Sequence, residues 1–182
     1  VTSQSTNNRV VVDGGTLRIV NSFSALDVRR GTNVLNAGLI DTGRLVVTNG
    51  LGQFEFNGGT LATSATVIGN GRVFTVGNGT SPAKFELRSG THSFANNLVI
   101  ANSASLSGNG TIAGVLTVQT GGALSPGASV GKIALNNSPS LQGLVRMEIV
   151  KNGSARTNDQ LQVSGALTFG GSLVVSNLGP DA

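Results

Sequence analysis

The sequence predicts an all-β protein wound as a right-handed, single-stranded parallel β-helix, or β-solenoid, of about nine coils. Three observations carry that expectation. The first is composition. Gly supplies 27 of 182 residues, about twice its usual share of roughly 7%. The apolar residues are mostly Val, Leu, Ile and Ala, and the polar ones are Asn, Ser and Thr rather than Glu and Lys. Asn, Ser, Thr and Gly weaken helical backbone or compete with it. The second is rhythm, because short apolar bursts alternate with turn signals and no stretch sustains helical periodicity. The third is repetition of short phrases along the chain.

Taken in order, the first predicted strands are 9–12, 16–20 and 25–28. The turn signal Asp13-Gly14-Gly15 separates the first two. Strands 44–48 and 53–56 flank Asn49-Gly50. Asn57-Gly58-Gly59 then precedes 65–68, Asn70-Gly71 precedes 72–76, and Asn78-Gly79 precedes 84–87. Further along come 97–100, 111–113 after Asn109-Gly110, 116–118 before Gly121-Gly122, and 132–135. The last are 144–150, 160–163, 167–169 and 173–175. Asn and Gly accept the left-handed backbone that sharp corners need.

An Asn-Gly pair between strands also signals a hairpin, which would build an antiparallel sandwich or barrel. The repetition favours stacked coils instead. Gly-Gly-small-Leu recurs at Gly14-Gly15-Thr16-Leu17, Gly58-Gly59-Thr60-Leu61, Gly121-Gly122-Ala123-Leu124 and Gly170-Gly171-Ser172-Leu173. A second phrase ends in Gly-Asn-Gly, at Gly69-Asn70-Gly71 and Gly108-Asn109-Gly110. A single coil of about 20 residues cannot bury enough apolar surface to offset its own ordering, so neighbours must complete it. Coils about 4.8 Å high would stack into a rod about 40 Å long.

The organisation expected is one domain, 1–182, or a segment of a longer repeat protein. Coil character changes near Ser138, where a longer strand leads through Lys151-Asn152-Gly153. That change is read as variation within one solenoid. Residues 1–9 are polar, begin without Met and do not read as a signal peptide. The expectation is a removed leader or an internal piece of a longer chain. No amphipathic cap is evident at either end, so the ends are expected to continue into further sequence or to stack on other copies.

Several chemistries are disfavoured. With no Cys there are no disulfides or thiolates. No apolar run reaches the roughly 20 residues of a membrane span. The net charge of +4 invites a nucleic-acid reading, but the 12 basic residues are scattered, with Arg29-Arg30 the one adjacent pair. An anionic glycan or lipid headgroup suits them better than nucleic acid. The eight acids include Asp13, Asp27 and Asp41, evenly spaced, so that they might stack or share a face. A polysaccharide lyase or glycosidase would need such a carboxylate cluster, yet each of the three sits at or beside a turn or strand start, where Asp is common for backbone reasons. His92, the one histidine, has no nameable partner and is expected to be solvated or hydrogen-bonded structurally. No calcium-binding nonapeptide or phosphate loop is present. The chain is therefore expected to be no enzyme, with no catalytic, cofactor-binding or metal-ligating residue and no cofactor. Phe54, Phe56, Phe74, Phe85 and Phe94 are expected to pack as a core ladder rather than a sugar platform.

Two runs carry a family resemblance. One is Leu106-Ser107-Gly108-Asn109-Gly110-Thr111-Ile112-Ala113-Gly114 followed by Gly121-Gly122-Ala123-Leu124-Ser125-Pro126-Gly127. The other is Asn158-Asp159-Gln160-Leu161-Gln162-Val163-Ser164-Gly165. Together they resemble the autotransporter-associated β-strand repeat of secreted, passenger-like bacterial proteins. The resemblance implies a right-handed parallel β-helix, export to the exterior or cell surface, and a role as stalk, adhesin or fibre subunit. It implies no catalytic residues. The partners expected are other copies, end to end or side by side, the remainder of a longer solenoid, or an extracellular polysaccharide. The chain lacks the translocator-barrel pattern of a complete autotransporter, which leaves its anchoring open.

Overall fold

The computed structural model describes residues 8–19, 21 and 23–180, and within them the chain forms twenty strands and no helix. The strands stack in parallel as a β-solenoid. One exception is an antiparallel pair between Leu144–Asn152 and Ala155–Asn158, and another is an isolated bridge between Gly108 and Gly127. The winding has three faces. The first carries 16–19, 39–42, 59–63, Ala83–Leu87, Ala104–Gly108, Ala123–Pro126, 144–149 and Ser172–Asn177. The second carries Ala25–Asp27, 44–47, 65–68, Thr91–Phe94, Gly110–Ala113, Lys132–Leu135 and Gln160–Val163. The third carries 9–12, 31–35, Gly52–Phe56, Phe74–Val76, Leu98–Ile100, Leu116–Val118, Ser140–Leu141 and Thr168–Phe169.

The predicted nine coils are too many. From Leu26 to Leu161 the second face makes six full turns, and each of the other faces adds one rung beyond that count. The 20-residue estimate fails because the step is not uniform. It is 18 residues from Leu98 to Leu116 and 28 from Leu144 to Ser172. Corners absorb the difference while the strands keep register.

Alternation makes the core. Successive side chains on a strand point to opposite sides, and Ala83–Leu87 and Ala104–Gly108 are buried at every second residue. Stacking then converts alternation into columns. On the first face Leu17, Ile40, Leu61, Phe85, Leu106, Leu124, Val145 and Leu173 lie one above another. On the third, Val12, Leu35, Phe56, Val76, Ile100, Val118, Leu141 and Phe169 do the same. The middle members are fully buried, whereas Leu173 and Phe169 on the last rung are about half exposed.

The Gly-Gly-small-Leu phrase has one structural meaning. All four copies turn the corner from the third face to the first, and their leucines share a column. The corner is too tight for a side chain. Gly38 has φ +84°, and a Cβ there would meet the Gly15 carbonyl oxygen at 2.4 Å. A Cβ on Gly143 would meet the Gly122 carbonyl oxygen at 2.2 Å. The Gly-Asn-Gly phrase, by contrast, does not repeat in space. Gly69-Asn70-Gly71 joins the second face to the third, and Gly108-Asn109-Gly110 joins the first to the second.

The five phenylalanines meet across coils. Phe54 stacks on Phe74 with centroids 6.0 Å apart, and Phe74 contacts Phe85 at 6.0 Å and Phe94 at 5.6 Å. Phe56, Phe74, Phe85 and Phe94 are buried, and Phe54 packs against them from the rim.

Candidate functional site

The evenly spaced aspartates do not come together. Their spacing of 14 residues is about two-thirds of a coil, so each lands on a different part of the section. Asp13 lies at the corner between the third and first faces. There it accepts a hydrogen bond from Asn36 Nδ2, and Asn57 Nδ2 donates to Asn36 Oδ1 at 2.8 Å, making a short amide ladder. Asp27 lies on the second face, 2.7 Å from Arg29 Nε. Asp41 lies on the first, enclosed between Arg18 Nε at 3.1 Å and the guanidinium of Arg88. The hydrogen bond from Arg88 holds the Asp41 carboxyl below its usual range, outweighing the cost of burial. Lys84 and Glu86 pair at 2.8 Å. Among the described residues no group of three or more His, Asp or Glu side chains is placed to hold a metal. Asp181 lies outside the described residues.

His92 is part of the core, in the second-face column between Thr66 and Ile112. Its Nε2 is 2.9 Å from the Ser89 carbonyl oxygen. A carbonyl only accepts, so Nε2 carries the hydrogen and Nδ1 is the acceptor. Nδ1 takes the Thr66 hydroxyl at 3.0 Å, and Thr66 in turn takes the Thr63 hydroxyl at 3.1 Å. Phe85 stands edge-on at 5.7 Å. Burial pushes the imidazole down to about 4, against a smaller opposing effect of the Ser89 bond. Its hydrogen-bonding capacity is filled, and nothing in this geometry presents the ring to a substrate. Of the two expectations for this residue, the hydrogen-bonded one applies and the solvated one does not.

The concave feature of the molecule lies where the coil lengthens. Leu144–Asn152 runs past the end of the first face, turns at Gly153, and returns as Ala155–Asn158. The resulting ledge is fastened at its base by Asp159, which is buried. Asp159 Oδ1 accepts the Gly131 N–H at 2.7 Å, and Oδ2 accepts the Glu148 N–H at 2.8 Å. On the other edge Ser172–Asn177 runs parallel, setting Met147 beside Val175 and Ile149 beside Asn177. A cleft of about 560 Å³ lies along this surface. Its walls include Met147, Ile149 and Val175, with Lys151 and Arg156 farther out. Those two cations are direct cross-strand partners, and neither forms an ion pair with an acidic side chain among the described residues. The sequence signalled a longer strand here but not the antiparallel return, because Ala155–Asn158 has no apolar alternation to mark it.

No protein-family model, curated protein or solved structure matches the chain.

Proposed function

We propose that the chain is a non-catalytic structural or adhesive β-solenoid of the cell exterior: a surface stalk, adhesin or fibre subunit. The observation that carries this reading is the uninterrupted stacking of apolar columns through the ladder. Each coil contacts only its neighbours, so such a structure sets distance and stiffness rather than enclosing a reaction. Right-handed winding follows from the handedness of parallel β crossovers. The likeness to autotransporter-associated repeats belongs to the same proposal and points to export. The apolar last rung, with Leu167, Phe169 and Leu173 about half exposed, suits stacking on another coil, either of a second copy or of a longer solenoid.

Electron microscopy of the purified chain tests the reading. Stiff rods are expected, about 34 Å long for seven steps on the first face at about 4.8 Å each, or fibres built from them. Compact, isometric particles would overturn it.

A further inference from the structure

We propose that the ledge cleft binds a single-chain amphiphilic anion, with its apolar body against Met147, Ile149 and Val175 and its carboxylate between Lys151 and Arg156. The proposal goes beyond the structural role and is independent of it. Four observations lead to it.

The first is continuity of the surface. Residues 147, 149 and 151 continue the side of the strand that begins with the core residue Val145, because alternate residues share a side. The core face therefore runs out of the solenoid onto the ledge and becomes exposed. Ile149 is 42% and Val175 53% exposed, while Met147 packs against the core. Open apolar surface with a rim of polar groups marks a binding surface.

The second is the placement of charge. Like charges directly opposite across a β pair destabilise it, yet Lys151 and Arg156 occupy that relation. A carboxylate between them turns a repulsive pair into two charge-assisted hydrogen bonds. The third is the state of the nearby acids. Asp159 already accepts two backbone N–H groups, and Glu148 alternates to the other side of its strand. The fourth is size, since about 560 Å³ falls within the range of roughly 300–1,000 Å³ typical of small-molecule sites. An apolar wall ending in paired cations selects an anion with a tail, not a free anion and not a neutral chain.

Calorimetric titration of the full chain with dodecanoate, below the concentration at which it forms micelles, tests this at neutral pH. Saturable one-to-one binding is expected, with no heat from acetate and at least about tenfold weaker binding of dodecyl maltoside, whose head is neutral. The double variant Lys151→Gln with Arg156→Gln should weaken dodecanoate by at least about tenfold. It should unfold no earlier than the wild type, since it removes a repulsion. Should the double variant not fold, chemical-shift mapping of dodecanoate on the wild-type chain decides. Shifts confined to 147–151, 156 and 175 support the site, and shifts elsewhere overturn it. Absence of saturable dodecanoate binding, equal binding of acetate or of the maltoside, or an unchanged affinity in a folded double variant would each overturn it.

Discussion

At the scale of single residues, two buried ionisable groups make stability depend on pH in the same direction. His92 is neutral in the fold, with its titration pushed down to about 4 from 6.5. The unfolded chain takes up this proton first as pH falls, so the stabilisation is complete above 6.5 and is lost progressively toward 4. The full loss is about 3 kcal/mol. Denaturant unfolding at pH 7 and pH 4.5 should show that loss in the wild type and a smaller one in His92→Leu. Equal losses would mean that the buried ring is not the cause. Asp41 is also shifted downward, chiefly by Arg88. Its contribution is present above the ordinary carboxylate range and disappears as acid protonates the folded carboxylate. Asp41→Asn should therefore cost about 1–3 kcal/mol at neutral pH, and its unfolding curve should converge with the wild type's in strong acid.

At the scale of elements, corners and columns carry different costs. Gly143→Ala puts a methyl group into the Gly122 carbonyl of the coil below, so it should destabilise by about 1–3 kcal/mol. Gly14→Ala meets nothing within 4 Å and should stay within about 0.5 kcal/mol of wild type. Melting temperatures of the two variants measure the contrast between a stacked glycine and an unstacked one. Phe74 contacts three other phenylalanines, and Phe74→Ala should cost about 3–5 kcal/mol. Similar losses at Gly14 and Gly143 would refute the account of the corner.

Strands of the second and third faces were largely legible in the sequence, because apolar triplets such as Leu98-Val99-Ile100 and Leu116-Thr117-Val118 stand between clear turn signals. The strands missed fall mostly on the first face: 39–42, 59–63, Ala104–Gly108 and Ala123–Pro126. There the strand begins at or beside a glycine of the corner, and its outward residues are small and polar. A phrase such as Gly59-Thr60-Leu61 reads as punctuation until a neighbouring coil supplies its hydrogen bonds. The ledge was legible only in its first half, and its cleft not at all, since Val175 reaches Met147 through a pairing 28 residues apart.

At the scale of the whole molecule, a solenoid has a middle and two ends, and substitutions should report which is which. Leu106 and Leu173 share a column, but Leu106 is fully buried and Leu173 is 56% exposed. Leu106→Ala should cost about 2–5 kcal/mol, and Leu173→Ala about 0.5 kcal/mol or less for the isolated rod. If the rod stacks end to end, the cost at Leu173 should rise with protein concentration, which equilibrium unfolding at two concentrations would detect. A cost independent of concentration would count against stacking through that rung.

The sequence by itself determined the class of the fold. Gly, Asn and branched aliphatics in short bursts disfavour helix locally, and a phrase repeated four times places four leucines in one column. Those are local and periodic properties, and composition and spacing report them. Only the tertiary structure decided the number of turns, the scattering of Asp13, Asp27 and Asp41, and the pairing of Lys151 with Arg156. Each depends on the length of individual corners. A few residues more or less in a corner rotate everything beyond it around the axis, and the chain shows that length only once neighbouring coils have locked their register.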